Sequence, residues 1–312
     1  MMRTFLPLIA AASAVFMQAA ATAPAARPSI TTIANFVVKT DDLDAARKFY
    51  SGVLGYDEVF QHKRAIVGAA DISVFKVNDH QYIELAPTLA NPSDDKLIQI
   101  GYETSDARKL RDYMASKGID VPAHAAKDSD GNYSFIVKDP EGHNIEFVEY
   151  VKGSLQSKYN GKGLSARRIS DHILHVGVHV KSPEAQDRFY KDTLGFRFLW
   201  QGGPRDDRLD WISYLTPDGD NWVEYMVMHD GPPTPQQLGV WHHVCLGTLD
   251  MQTFYNTVVE RGYKPPKEAA INTRDGRMLL QLYDKNDTRV EVMVRKPMKK
   301  PCCSENMDPY IK

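Results

Sequence analysis

Residues 173–180 read ILHVGVHV, and the histidine inside this run sets how the whole chain is parsed. His175 opens an alternating apolar segment, and 49 residues later Glu224 closes another, NWVEYMV at 221–227. The pattern recurs. His243 in WHHVCLGTL (241–249) is followed after 48 residues by Glu291 in TRVEVMV (288–294). Two imidazoles and two carboxylates delivered by a repeated unit are a donor set for one divalent metal ion.

The same spacing occurs twice upstream in altered form. Asn35 and Glu84 are 49 residues apart, and Gln99 and Glu146 are 47 apart. The chain therefore holds four units, and a repeat of this kind governs every other reading. The first and third share RKFYSGVLGY (47–56) and DRFYKDTLGF (187–196), with Phe49 and Phe189 each 14 residues after the leading position. The second and fourth share YMASKGIDVP (113–122) and TVVERGYKPP (257–266). The order is A-B-A-B, a duplicated two-unit domain. DPEGHNIE (139–146), TPDGDNWVE (216–224) and, more weakly, YDKNDTRVE (283–291) precede the final strand of three units.

Within a unit the grammar is short. An alternating strand comes first, as in ANFVVKT and LHVGVHV. A helix follows, opened by Asp or Ser in DDLDAARKFY and KSPEAQDRFY and stopped at Gly55 or Gly195. Three strands then lead to the Glu. The expected fold is α+β, with four βαβββ modules paired into two open, strongly curved mixed-sheet barrels of about eight strands each. Phe49, Leu54, Val176, Phe189, Leu194 and Val244 are expected in the core. Strand alternation puts His175, Gly177 and His179 on one face, groups His243 with Cys245, and groups Glu224 with Trp222 and Met226.

These residues carry a resemblance. The four βαβββ units, the FY…LGF helices and the His/Glu positions resemble the vicinal oxygen chelate superfamily, which includes glyoxalase I, methylmalonyl-CoA epimerase, extradiol dioxygenases and fosfomycin-resistance proteins. The resemblance covers roughly residues 30–296. It implies a metal-dependent enzyme of the glyoxalase type that chelates two neighbouring oxygens of a small hydroxy-carbonyl substrate and moves a proton on carbon. By resemblance Glu291 is both ligand and base, and Glu224 returns the proton on the other face. The rival reading is extradiol ring cleavage, for which His175, His243 and Glu291 would match the ligands. Glu224 and the absence of His from RMLLQLYDK (277–285) depart from that pattern. A small-molecule binding protein is the non-enzyme reading, and the intact quartet counts against it.

The ligand quartet is thus His175, Glu224, His243 and Glu291, holding one Zn, Ni, Co, Fe or Mn ion, since mixed nitrogen and oxygen donors suit all five. His179 stands four residues past His175, about 13 Å along a strand at ~3.3 Å per residue, so it is expected to line the pocket without reaching the ion. His242 is expected on the face opposite His243. His62, His80, His124, His143, His172 and His229 lack repeat support and are expected to be structural or exposed. Asn35, Glu84, Gln99 and Glu146 occupy the equivalent places of the first half. Amides are poor ligands for transition metals, so that half is expected to be degenerate. Trp211, Trp222, Tyr225 and Trp241 are placed near the cleft.

Composition bounds the remaining choices. The chain has 312 residues, 43% hydrophobic, with a formal net charge of −2. That supports two cores and leaves no electrostatic footprint for nucleic acid; the expected partner is a small-molecule substrate. Residues 1–26, MMRTFLPLIAAASAVFMQAAATAPAA, carry Arg3, an apolar run and Ala-x-Ala choices, the pattern of a cleaved secretory signal peptide and a secreted or periplasmic protein. The apolar run is too short for an ordinary membrane span, and no membrane association is expected after cleavage. An N-terminal glyoxalase-like domain is expected over 30–151, a polar linker over 152–170, the metal-binding domain over 171–296, and a flexible tail over 297–312. Of the three cysteines, Cys245 is expected to be a small buried apolar residue. Cys302 and Cys303 are adjacent in the tail, which leaves a loose tail, a vicinal disulfide or a weak metal site open.

Overall fold

The computed structural model describes residues 26–265, 271–305 and 307. The segment around Asn35 forms β1 (Ile30–Lys39). The Asp42 side chain accepts from the Ala45 N–H at 2.9 Å and caps α1 (Leu43–Arg47). The chain continues in a wider π-helical turn over Lys48–Val53 that buries Phe49 and Tyr50. It is released at Gly55, whose φ of +80° only glycine adopts without strain. Strands β2 (Glu58–His62), β3 (Ile72–Lys76) and β4 (Tyr82–Ala86) complete the first βαβββ unit. The second contains β5 (Leu97–Thr104), α2 (Ala107–Ser116), β6 (Ala126–Lys127), β7 (Tyr133–Lys138) and β8 (Asn144–Glu149).

A short α3 (Leu155–Lys158) lies in the connection, and the pattern repeats. The third unit has β9 (Ile173–Val180), α4 (Pro183–Asp187) running into a π-helical turn over Arg188–Thr193, β10 (Arg197–Gly202), β11 (Trp211–Leu215) and β12 (Trp222–Val227). After α5 (Pro235–Val240) the fourth has β13 (His243–Thr248), α6 (Met251–Glu260), β14 (Ile271–Asn272), β15 (Met278–Tyr283) and β16 (Arg289–Val294).

Each half is one eight-stranded mixed sheet, in the orders β2-β3-β4-β1-β5-β8-β7-β6 and β10-β11-β12-β9-β13-β16-β15-β14. The leading strands of the two units pair antiparallel at the centre, and each pairs parallel with the last strand of its own unit. The expected barrels are therefore two open sheets. Among the described residues the edge strands of neither sheet pair with one another, and β6 and β14 are two residues long. All six expected core residues are buried.

The halves are joined by packing as well as by the chain. One apolar cluster draws on both, including Ile30, Phe36 and Tyr102 from the first and Val176, Tyr190 and Phe196 from the second. Tyr102 and Phe196 meet edge to face at 5.4 Å. The Gln81 side chain bridges the Ile173 backbone, accepting from its N–H at 2.8 Å and donating to its carbonyl at 3.1 Å. The 152–170 connection is also anchored, because the fully buried Lys76 donates to the Lys162 carbonyl at 2.8 Å and to Tyr159.

The tail region, expected to be flexible, is hydrogen-bonded over its described part. The N–H groups of Met298 and Lys299 donate to the Gly276 carbonyl, Cys302 N–H to Arg274, Met307 N–H to Leu199, and the Trp200 indole to the Cys302 carbonyl at 2.9 Å. Cys302 and Cys303 form a vicinal disulfide, and Cys245 is a buried free thiol. The signal-peptide reading of 1–26 falls almost entirely outside the described residues. Among the described residues no helix is long and apolar enough to cross a membrane.

Candidate metal centre

The register of four adjacent strands brings the quartet together. In the order β12-β9-β13-β16, Trp222 and Cys245 lie opposite His175, Glu224 and His243 both lie opposite Gly177, and Glu291 lies opposite Cys245. Residues directly opposite one another share a face, as do residues two apart along a strand. All four candidate ligands therefore project from one face of the second sheet. Gly177 makes their convergence possible: a Cβ there would lie 2.0 Å from Cε1 of His243. Only a residue without a side chain lets that imidazole lie across β9.

The donor atoms meet closely. His175 Nε2 lies 3.1 Å from His243 Nε2, 3.4 Å from Glu291 Oε2 and 3.8 Å from Glu224 Oε2. His243 Nε2 lies 3.4 Å from Glu291 Oε2 and 3.5 Å from Glu224 Oε2. One donor atom from each residue falls within 4.8 Å of all the others. Both imidazoles are fully buried. Two imidazole nitrogens and two carboxylate oxygens facing one small volume fit a divalent cation, which would neutralise the carboxylates and take a lone pair from each ring.

The surroundings orient the ligands. Trp222 stacks on the His175 ring at 4.8 Å, and Arg277 lies 5.2 Å over the Trp222 ring. His243 Nδ1 is 2.9 Å from the Trp241 carbonyl, which accepts its N–H in the tautomer that leaves Nε2 free for a metal. Arg289 Nη2 also lies 2.7 Å from His243 Nδ1, a contact that is a hydrogen bond only in the other tautomer because a guanidinium donates and does not accept, and Nη1 holds Glu291 Oε1 at 3.2 Å. Burial raises the Glu291 pKa, but Arg289, His243 and His175 outweigh it and hold this carboxyl well below the usual carboxylate range. Burial and Arg289 push His243 down, while Glu291 and Glu224 more than compensate and leave it above its ordinary value.

A cavity of about 240 Å³ opens beside the quartet. Glu224 and Glu291 lie in its wall with Arg289 and Gln281, and Trp200, Trp211, Met226 and Leu279 supply apolar surface. Of the aromatic residues expected near the cleft, Trp211 lines this cavity, Trp222 backs His175, and Trp241 serves through its carbonyl. Tyr225 is buried in the core.

The equivalent place in the first half is filled by a guanidinium. Arg64 donates through Nε and Nη2 to both oxygens of Glu84 at 2.7 Å, and through Nη1 to Glu146 at 2.9 and 3.0 Å. Asn35 and Gln99 each donate to Glu146 Oε2 at 2.8 Å. His62 closes the network, 3.1 Å from Glu84 and 2.6 Å from Asp130. The two carboxylates already have a fixed cation, and the amides are spent on one of them. Sequence reading identified this quartet as degenerate but missed Arg64, which lies past β2 and has no counterpart in the repeat signal.

His179, expected to line the pocket, His242, expected to face away from His243, and His143, expected to be structural or exposed, converge. His143, His179 and His242 each present a nitrogen within 4.8 Å of the others. His179 and His242 were expected on opposite faces of the sheet. His242 precedes β13 and lies outside the ladder, so alternation does not govern its direction.

The family and the fold have known relatives. The family described as the Glyoxalase/Bleomycin resistance protein/Dioxygenase superfamily matches residues 32–147 and 172–292. No curated protein matches the sequence at a significant level. Similar solved structures include a Mn(II)-bound glyoxalase from Novosphingobium aromaticivorans, 18% identical with a TM-score of 0.62 over 89% of this chain and 86% of that one. A catechol 2,3-dioxygenase is 13% identical with a TM-score of 0.64 over 89% and 92%. The 2,3-dioxygenase LapB from Pseudomonas sp. KL28 is 14% identical with a TM-score of 0.63 over 90% and 98%. At these identities the likeness speaks for the fold. The duplicated βαβββ units, the paired sheets and the family match over both halves agree, and the chain belongs to the Glyoxalase/Bleomycin resistance protein/Dioxygenase superfamily.

Proposed function

We propose that the second half is a metal-dependent isomerase, lyase or epimerase of the glyoxalase type. His175, Glu224, His243 and Glu291 hold one divalent ion in the crook of a curved sheet, and a small hydroxy-carbonyl compound binds beside it. When bound, the ion supplies Lewis acidity that stabilises negative charge developing on the substrate oxygens. The observation that carries the reading is the difference between the two carboxylates. Glu291 has one oxygen turned to the imidazoles and the other held by Arg289, so it is fixed as an anion. Glu224 is partly open to the cavity, and among the described residues it has no ion pair with an arginine or lysine; its oxygen faces the two imidazoles at 3.5 and 3.8 Å. A carboxylate that moves a proton needs an oxygen facing the substrate and not clamped by a fixed cation. Glu224, in the cavity wall and without an arginine on it among the described residues, meets that geometry better than Glu291, which modifies the assignment drawn from resemblance. Trp200, Trp211 and Met226 exclude water from one side of the substrate, and Gln281 offers an amide to its polar end.

The test is Glu224→Gln. It keeps an oxygen donor and most of the fold, but an amide does not accept the proton, so turnover should fall by ~10²-fold or more. Deuterium from solvent should appear on a substrate carbon in the wild type, with no oxygen consumed. The second reading is ring cleavage. It is supported by the His, His, Glu subset and by the fold shared with two dioxygenases. Catechol-dependent oxygen uptake that survives in Glu224→Gln would favour it. Zn, Ni, Co, Fe and Mn all suit the donor set; the Mn(II) of one structural relative makes that ion the first to try. Export belongs to the same proposal and rests on residues 1–26; N-terminal sequencing of native protein should begin between Ala20 and Pro28, and Met1 would defeat it.

A further inference from the structure

We propose that His143, His179 and His242 form a second metal site, which ties the two halves of the chain together and takes a late first-row ion such as Zn(II). His143 comes from the turn before β8 in the first half, and His179 and His242 come from the end of β9 and the approach to β13 in the second. The three rings lie within 4.5–5.1 Å of one another, centre to centre.

The hydrogen bonds around the rings fix which nitrogens face inward. His143 Nδ1 donates to Asp139 at 2.8 Å, and His242 Nδ1 donates to Asp95 at 2.8 Å. Asp139 is itself held by Gln186, which donates from the second half at 2.8 Å. A carboxylate on the outer nitrogen is how metal-binding histidines are oriented and made more basic. It leaves Nε2 of His143 and of His242 as lone pairs. His179 Nδ1 contacts the lone pair of His242. Nε2 of His143 is buried and has no hydrogen-bond partner among the described residues. A buried acceptor without a donor is costly, and a cation among three inward-facing nitrogens satisfies it. Three neutral imidazoles leave a fourth position for water, as in His₃ zinc sites. His179 is the least buried of the three.

This site is separate from the quartet, so the two can be counted independently. Full-length protein is dialysed against excess Zn(II), freed of loosely held ion with a weak chelator, and assayed for zinc per chain. The wild type should hold about two equivalents, and His143→Ala and His179→Ala about one each, by the ligand logic above. His243→Ala should also hold one. Loaded with Co(II), the wild type and His243→Ala should show the intense visible bands of a tetrahedral ion, and His143→Ala should lose them. Two imidazole variants from different halves guard against one that misfolds, and the wild-type count stands without either. A single wild-type equivalent that only His243→Ala removes would overturn the site. So would two equivalents that persist in both His143→Ala and His179→Ala. A single equivalent lost in His179→Ala but kept in His243→Ala would support this site and defeat the quartet instead.

Discussion

Glu224 and Glu291 are the same residue type in equivalent repeat positions, and what separates them is Arg289, two residues before Glu291 on β16. The spacing of 49 and 48 residues made both visible in sequence because each pairs with a His in its own unit. The role of Arg289 was not legible, since it depends on a fold that turns residues 289 and 291 toward the same ion site. The smallest determinant is Gly177. Ala there would put a methyl 2.0 Å from the His243 ring. Gly177→Ala should therefore weaken metal binding by ~10-fold or more, as other losses of ligand orientation do. Metal titration against wild type checks this, and an unchanged affinity would show that His243 does not need to cross β9. His179→Ala should leave the quartet's own ion bound.

At the level of elements, the four strands carrying the quartet were readable from alternation, whereas the loops that complete or replace it were not. Arg64 is the clearest case. It follows β2 and places its guanidinium between Glu84 and Glu146, where the second half has its imidazoles and carboxylates facing one another. Removing one partner of a buried charge network leaves the others uncompensated. Arg64→Met should cost about 3–5 kcal/mol of stability, measured by denaturant unfolding, and a loss below 1 kcal/mol would show the network is dispensable. The same cluster gives a pH signature. Burial lowers the His62 pKa, but Glu84 and Asp130 outweigh it and raise it from 6.5 to about 9. A raised pKa gives stability that is complete below 6.5 and lost as pH climbs to about 9. Burial raises the Glu84 pKa, but Arg64 and His62 outweigh it and lower it from 4.5 to about 2. That contribution is present above 4.5 and lost as pH falls to about 2. Within this network the plateau lies between 4.5 and 6.5. His62→Gln should flatten the alkaline decline in melting temperature between pH 6.5 and 9. A decline as steep as that of wild type would place its origin elsewhere.

For the whole molecule, the repeat announced two similar halves, and each is one eight-stranded sheet. Their dependence on each other was not announced. Contacts such as Tyr102 on Phe196, Gln81 on Ile173 and Lys76 on the 159–162 backbone link positions about 80–95 residues apart, which no local pattern reports. Because the apolar cluster is continuous across the halves, the full chain should unfold in one cooperative transition. Residues 171–296 expressed alone should expose that surface and lack the calorimetric transition of the full chain. A fragment that unfolds cooperatively at the temperature of the full chain would show that the first half is not required.

The metal centre itself is tested most directly by the structure of crystals loaded with Mn(II), read through the anomalous signal of that ion. The account predicts a peak at the quartet, about 2.0–2.3 Å from Nε2 of His175, Nε2 of His243 and one oxygen each of Glu224 and Glu291. No peak among those four side chains, or one among Asn35, Glu84, Gln99 and Glu146 in place of Arg64, would contradict it.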